Sequence, residues 1–600
     1  MIFALLALMS VDDAWSWPIT TEFGVTASFG EYRGMRFHMG LDFSTADQEG
    51  QPVRAARAGR VVRVRANTNG YGRVIYVKHQ SGHTTVYAHL AKFGKSLSTA
   101  ITATGKDPLT WFGNLEIDHA ISAQEIMAYS GESGAGSPHF HFEVRDPAGR
   151  PLSPHDLNFP ELPFANHKAR IKGVTLLPLD AESQVNGSPL PFLVGPGIKR
   201  VSAAGRIGLQ VSAYISGNRG SRLGCRGLRV YQDDRLIAEW LPRRLNFSDN
   251  GNAGLVHDPA FSGFGPTLYN YCFDNRNQYL PKLIDFKQSE ILVVSQPTKL
   301  RIEAQNLAGD WNTLSLELDG SALRHPDPGF ARAPTQATTL ATQLYADQLF
   351  ITPEMDGTLQ TSSRLKGIAG GDQQILQPIP GKPAASLIWR TRSGTVKRTY
   401  GAMPKATTFR YELEGWRLMA KDAPELPPMA LLLEPADRKI RKQVLDYVSP
   451  VLRFGRPGLP SPGYSIHYET GSLPQPEQLG IYRWSFAQKR WAYLGQAEKT
   501  ESLDYLTCLV VARDLSPPSI GRPKSHPYFT GARMVIPVRD KGSGLDQKDM
   551  SLQGPSGGIP VEYDPGRAWV ILPKNEKKGP WKLEVKDRAG HKTSVSELRP

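Results

Sequence analysis

Two histidines stand two residues apart in the stretch Pro138-His-Phe-His-Phe-Glu-Val-Arg-Asp146. Read as a β-strand, the stretch turns His139 and His141 to one side, while Phe140, Phe142 and Val144 take part in a mixed or opposite packing surface. Two imidazoles on one surface can hold a metal or move a proton. Taken alone, they serve as readily as structural residues. A second constellation, Arg36-Phe-His-Met-Gly-Leu-Asp42, sets His38 and Asp42 four residues apart. That spacing gives one face of a helix, or about 13 Å along a straight strand, too far for ligands of a single ion. Gly40 between them supports a bent, non-helical segment that brings both side chains to one point. Histidine nitrogen and carboxylate oxygen are zinc donors, and His141 would supply a third, leaving the fourth position to water as a hydrolytic site requires. His89 and His139 remain as supporting or catalytic imidazoles. In isolation, His38 and Asp42 could form a surface salt bridge and His89 could cap a loop; their occurrence beside His-x-His in a histidine-rich segment favours a joint site. Eight of the fourteen histidines precede residue 160, and His79, His83, His119 and His155 read as structural or solvent-facing.

The elements that must position these groups are short strands. Arg60–Arg65, Val74–Lys78 and His83–Ala88 alternate apolar and polar residues and are separated by Asn67-Thr-Asn-Gly-Tyr-Gly72 and Gln80-Ser-Gly82, which predicts an antiparallel meander. Residues 93–120 interrupt it and read as a long insertion at the sheet edge. Ile121–Ser130 resumes the strand pattern and leads through Gly131-Glu-Ser-Gly-Ala-Gly136 into the His-x-His strand.

These motifs, in this order, carry a family resemblance. Ser28-Phe-Gly-Glu-Tyr-Arg33, Phe37-His-Met-Gly-Leu-Asp42, Pro52-Val-Arg-Ala-Ala56, Gly59-Arg-Val-Val62, Gly70-Tyr-Gly72, Tyr87-Ala-His-Leu90, Gly131 to Gly134 and Pro138–Val144 together resemble the LytM/lysostaphin-type zinc metallopeptidases of family M23, over residues 15–160. The resemblance implies zinc ligands at His38, Asp42 and His141 and catalytic histidines at His89 and His139. It also implies an antiparallel-sheet domain that hydrolyses peptide cross-links of peptidoglycan. No His-Glu-x-x-His motif supplies a glutamate base, which fits histidines doing that work. The insertion at 93–120 departs from the family pattern and could narrow the substrate groove.

The rest of the chain reads as mainly β. Six hundred residues exceed one core, and 47 prolines and 57 glycines punctuate short Val-, Ile-, Thr- and Tyr-rich runs. Ile302-Glu-Ala-Gln-Asn-Leu-Ala-Gly309 aligns with Leu583-Glu-Val-Lys-Asp-Arg-Ala-Gly590, an internal repeat resembling the last hairpin of bacterial Ig-like β-sandwich modules. Modules are therefore expected at 165–320 and 516–600, with a Pro/Thr/Ala-rich linker at 321–340 and a β-rich region, one or two modules, at 341–515. Asp540-Lys-Gly-Ser-Gly-Leu-Asp546 lacks the twelve-residue spacing of a calcium loop and reads as a solvated turn. The hairpin at Ile481–Trp491 reads as aromatic core. Cys225, Cys272 and Cys508 are too few for a disulfide framework; Cys225 and Cys272 could pair outside the cytosol or remain buried thiols.

Charge and the N-terminus bound location and partners. Net charge is +14, yet residues 1–160 hold 14 Lys/Arg against 15 Asp/Glu, so the basic excess lies behind the histidine-rich region. That excess suits anionic envelope polymers or an envelope protein; without a dense Lys/Arg run interleaved with aromatics, it argues against nucleic acid. Ile2–Met9 is an apolar stretch of signal-peptide length with Ala14 as a cleavage point, so residues 1–14 read as an export signal and nothing later as a transmembrane span. Export to the periplasm, envelope or exterior is expected. The leading functional expectation is a Zn2+-dependent endopeptidase that cuts peptidoglycan peptide stems. The alternatives are a non-hydrolytic activator or binding protein of the same fold, and a structural envelope protein. In the resembled family, members of the non-hydrolytic kind usually lose zinc ligands; here all are present.

Overall fold

The computed structural model describes residues 14–320 and 341–600, apart from 68–69, 218–220, 260–269, 275–285, 289–290, 346–347, 353–357, 362–364, 368–373, 392–393, 437–443, 574–575 and several single positions. The expected signal segment up to Asp13 and the linker at 321–340 lie outside the described residues. The chain is mainly β and its sheets are overwhelmingly antiparallel.

The front region contains β1 (Val25–Ala27), β2 (Leu41–Ser44), β3 (Pro52–Arg54), β4 (Gly59–Ala66), β5 (Arg73–Lys78), β6 (Thr84–Ala88), β7 (Leu90–Phe93), α1 (Lys95–Thr102), β8 (Gly113–Ile121), β9 (Ile126–Ser130), β10 (His139–Arg145) and β11 (Pro151–Leu152). One sheet runs β1-β2-β10-β6-β5-β4-β8, with β11 beside β10; a smaller sheet runs β3-β9-β7. Alternation explains β10: Phe140, Phe142 and Val144 are fully buried on one face, leaving His139, His141 and Glu143 on the other. Burying each phenylalanine contributes about 2 to 3 kcal/mol. In β4 the alternation slips at a bulge between Val61 and Arg63, and Val61, Val64 and Ala66 are the residues that reach the core.

Register then sets the site. Asp42 lies opposite His141 in the β2–β10 pair, and His141 lies opposite Ala88 in the β10–β6 pair. Asp42, His141 and the residue preceding His89 thus share one line across three strands. The segment 93–120 forms α1, whose Leu97 and Ile101 pack inward one turn apart, and then β8 at the sheet edge against β4, away from the β2–β10–β6 line.

Behind the front region, residues 169–318 form two sheets. One is built on the long strand Ala203–Ser216 and the other on Thr298–Gln305 with its neighbours. Residues 516–600 form a further pair of sheets with their own core around Ile536, Trp581 and Val585. The two repeat hairpins turn alike, with Gly309 at φ +104° and Gly590 at φ +103°. Cys225 and Cys272 are both buried and are not joined by a disulfide. A continuous apolar core runs from Trp15 to Val511. Phe37 stacks on Trp240 at 5.3 Å, and the Ser28 hydroxyl donates to the Gly224 carbonyl at 2.8 Å.

His257 is fully buried among Tyr32, Phe37, Trp240 and Tyr271. Burial pushes it down to about 3, and likewise lowers His155 to about 3 and His79 to about 4. In the unfolded chain these groups take up protons near pH 6.5, whereas in the folded chain they remain neutral until far lower pH. Stability is therefore complete above pH 6.5 and is lost as pH falls towards 4, by roughly 1.4 kcal/mol per pH unit for each group. Calorimetric melting temperatures should fall steadily below pH 6.5, with a shallower fall in His257→Phe; an unchanged melting temperature down to pH 4.5 would contradict this.

Candidate metal centre

The line across β2, β10 and β6 gathers His38, Asp42 and His141 at one point. Asp42 Oδ1 lies 2.8 Å from His141 Nδ1 and 3.1 Å from His38 Nε2, and the two ring nitrogens lie 3.1 Å apart. All three residues are buried. His38 precedes β2 in a turn where its N–H donates to the Glu31 carbonyl and its own carbonyl accepts from Gly30 N–H. Gly40 serves this turn by its lack of bulk: a Cβ there would sit 2.3 Å from the Phe142 carbonyl oxygen.

The outer atoms of these rings fix their tautomers. His38 Nδ1 faces the Ser28 carbonyl at 2.9 Å, so Nδ1 carries the hydrogen and Nε2 presents a lone pair. His141 Nε2 faces Glu143 Oε1 at 3.0 Å, so Nε2 carries the hydrogen and Nδ1 presents its lone pair inward. Two lone pairs and a carboxylate oxygen then face one another with no donor among them. A cation or a proton must occupy that point. The donor set of two imidazoles and one carboxylate fits zinc with a fourth position left open.

Electrostatics agree with this reading. Burial opposes the charge on Asp42, but His38, Arg33, His139 and His141 outweigh it and hold the carboxyl well below its usual range. Burial pushes His141 down, yet the Asp42 and Glu143 carboxylates hold it above an ordinary histidine. Proton and metal compete at the same nitrogen, so metal affinity falls with acid. Glu143 is fully buried and held at about 2, burial being overcome by His141, Arg145 and Tyr71.

His89 and His139 flank the buried trio and remain partly accessible. Their ring centroids are 4.6 Å apart, and His89 is 5.8 Å from His141. His89 Nδ1–H donates to the Ser133 carbonyl at 2.9 Å and His139 Nδ1–H to the Ser137 carbonyl at 3.0 Å, which leaves both Nε2 atoms as acceptors. Burial and the neighbouring histidines lower His89 to about 3, and burial lowers His139. Both are neutral at physiological pH. His89 sits at φ +59°, a left-handed conformation that turns the chain between β6 and β7. Gly72 and Gly134 allow the loop that holds it: a Cβ on Gly72 would lie 2.0 Å from the Ser133 carbonyl oxygen, and both glycines have positive φ.

The structure thus brings together all five residues singled out in the sequence. It adds Arg33, whose Nη2 donates to Asp42 Oδ2 at 2.6 Å, and Glu143, whose other oxygen takes Arg145 at 2.6 Å. It also adds Tyr71, which donates to Glu143, and the Ser28 and Ser133 carbonyls. Glu143 was signalled by period two, being the third residue on the face of His139 and His141; Arg33 depends on a turn that no local pattern announces.

Residues 36–106 match the family described as Peptidase family M23. The chain is 29% identical over 126 residues to the DD-carboxypeptidase/endopeptidase Mpg of Neisseria meningitidis serogroup B, covering 21% of this chain and 24% of that protein. It is 29% identical over 132 residues to the murein hydrolase activator NlpD of Salmonella typhimurium, covering 22% of this chain and 28% of that one. The chain spans about a quarter of the length of these curated relatives. A zinc-containing peptidase from Vibrio cholerae aligns over 24% of this chain and 41% of its own, at 23% identity and a TM-score of 0.19.

Glu143→Gln keeps the shape but removes the charge that orients and enriches His141. Zinc affinity should fall by about 10- to 100-fold, read by competition with a chromogenic chelator, while the circular dichroism spectrum stays unchanged.

Proposed function

We propose that this chain, whose front region is a peptidase domain of the M23 (LytM/lysostaphin) type, is an exported zinc endopeptidase that cleaves peptide cross-links of peptidoglycan in the cell envelope. The observation that carries the reading is the convergence of three inward-facing acceptors, His38 Nε2, Asp42 Oδ1 and His141 Nδ1, beside two neutral, partly accessible imidazoles. Three acceptors that face one another need a proton or a cation among them, and two imidazoles with one carboxylate are a donor set that suits zinc.

Zinc, when bound by His38, Asp42 and His141, supplies a Lewis acid that polarises a peptide carbonyl and lowers the pKa of a water. The chain's own groups do the rest. Arg33 ties down Asp42 Oδ2 and so directs Oδ1 inward. Glu143 fixes the His141 ring, and Arg145 and Tyr71 hold Glu143 in turn. His89 and His139 each present an unprotonated Nε2, one to take the proton of the attacking water and the other, once protonated, to support the oxyanion or the departing amine. Their Nδ1 bonds to backbone carbonyls fix which nitrogen is available.

Peptidoglycan is supported as substrate by the naming of relatives as a DD-carboxypeptidase/endopeptidase and as a murein hydrolase activator. Among the described residues no helix is long and apolar enough to cross a membrane. The basic excess behind residue 160 supplies the sequence's contact with anionic envelope polymers. The second of those relatives also defines the competing reading, an activator that binds without cleaving.

Purified chain incubated with sacculi should release cross-link peptides, identified by mass spectrometry. His141→Ala should abolish release together with zinc, and His89→Ala or His139→Ala should lower it by about 10² to 10⁴ while zinc is retained. Full zinc occupancy with no release would favour the activator. Wild-type release from His141→Ala would refute the site.

A further inference from the structure

The turn that delivers His38 to the metal centre does not stand by itself. Residues 28–38 pack against the sheets at 169–318, and the contact is polar as well as apolar. Gly224, just after the short strand Arg222–Leu223, gives both of its backbone groups to it. The Gly224 carbonyl accepts from the Ser28 hydroxyl at 2.8 Å, and its N–H donates to Glu31 Oε2 at 3.2 Å. Farther along, Asn250 Oδ1 in the helical turn Phe247–Leu255 accepts from Phe37 N–H at 2.7 Å, one residue before His38. Ser28 and Glu31 are almost fully buried, which strengthens these bonds electrostatically.

Two bonded paths lead from Gly224 to metal ligands. The first runs through Ser28, whose hydroxyl is held by Gly224 and whose carbonyl accepts from His38 Nδ1–H at 2.9 Å. The second runs through Glu31. Its Oε2 also accepts from Ser28 N–H at 2.9 Å, and its Oε1 pairs with Arg33 Nε at 3.2 Å. Arg33 Nη2 in turn donates to Asp42 Oδ2 at 2.6 Å. A guanidinium is planar and rigid, so fixing one edge on Glu31 aims the other at Asp42. His141 differs, because its outer partner, Glu143, belongs to its own strand.

The fit is close enough to transmit a displacement. A Cβ on Gly224 would stand 2.8 Å from Glu31 Cβ and 3.2 Å from Ser28 Oγ, and one on Gly30 would stand 2.7 Å from Pro242 Cγ. Gly224 does not adopt a positive φ, so its need for glycine is steric.

We propose that the sheets at 169–318 complete the metal centre, with Glu31 as a positioning residue: docked on Gly224, it sets Arg33 and thereby Asp42, so that zinc affinity depends on the docking. This rests on zinc binding at His38, Asp42 and His141, and not on cleavage. Coupling between two sites is reciprocal, so zinc must in turn tighten the Gly224 contact.

The test uses the full chain and reads zinc affinity by competition with a chromogenic chelator, with amide hydrogen exchange over residues 222–227 as a second readout. Gly224→Ala and Glu31→Ala, which leave every ligand in place, should each weaken zinc binding about fivefold or more. Should both fail to fold, Glu31→Gln decides. It keeps an acceptor for the Ser28 and Gly224 N–H groups but not the charge that aims Arg33, so it should lose zinc affinity at an unchanged melting temperature. Zinc should slow exchange at 222–227 in wild type, and less so in the Glu31 variants. Leu300 pairs with Gln232, at the end of its sheet remote from Trp240. Leu300→Ala should therefore lower the melting temperature and leave zinc affinity as it is. Wild-type zinc affinity in the folded Gly224 and Glu31 variants, an equal loss in Leu300→Ala, or exchange indifferent to zinc would each overturn the proposal. A chain that shows the expected shifts but leaves sacculi uncut would support it and overturn the endopeptidase reading alone; a wild-type chain that binds no zinc would overturn both.

Discussion

A buried carboxylate facing two imidazole lone pairs is unstable unless something positive sits among them. Asp42 is in that position, and most of the front region can be understood as the framework that keeps it there. Two strands place it opposite His141, a turn before β2 brings in His38, and Arg33 takes the oxygen that does not point inward. Each ring is locked by an acceptor on its far side, the Ser28 carbonyl for His38 and Glu143 for His141. Because the outward nitrogens must donate, the inward ones must accept. The metal preference follows from those outer bonds as much as from the ligands.

The same principle arranges His89 and His139. Each gives its Nδ1 hydrogen to a backbone carbonyl in the loop before β10, so the position of that loop determines where both Nε2 atoms stand. The loop is held by close backbone contact between Gly72 and the segment Ser133–Gly134, which a side chain on Gly72 or Gly134 would block. The paired glycine motifs therefore belong to the chemistry, although none touches a reacting atom.

Much of this was legible in the sequence because strand geometry is periodic. His139, His141 and Glu143 recur every second residue, and the phenylalanines between them identify the core face. His38 and Asp42 required a bend at Gly40, and the bend is present, but the need for glycine there is steric: the Phe142 carbonyl leaves no room for a Cβ. Arg33 was hidden, since its partnership depends on how a turn closes. The extent of the core was hidden too. Phe37 is two strands' worth of sequence from any signal linking it to Trp240, yet their stacking joins the histidine-rich region to the following sheets in one apolar core. Such contacts between distant segments leave no local pattern to read. The Asp540 turn misled for the same reason, because its polar composition looked solvated while Asp514, far back in the sequence, closes over it.

Sequence distance also conceals how the far end of the chain meets the metal centre. Arg567, in the last module, forms a two-pronged ion pair with Glu132, the residue before Ser133. Arg73, Glu132 and Ser133 share a small cleft with Tyr528, Arg533 and Glu562 of that module. Since the Ser133 carbonyl orients His89, a rigid body resting on Glu132 presses on the loop that sets a catalytic nitrogen. Arginine suits this contact, because a planar fork bound to both carboxylate oxygens fixes direction as well as distance. A module that swung freely about residue 515 would lose that contact to the entropy of its linker. Whatever stiffens the junction near residue 515 therefore also steadies the loop that carries Ser133.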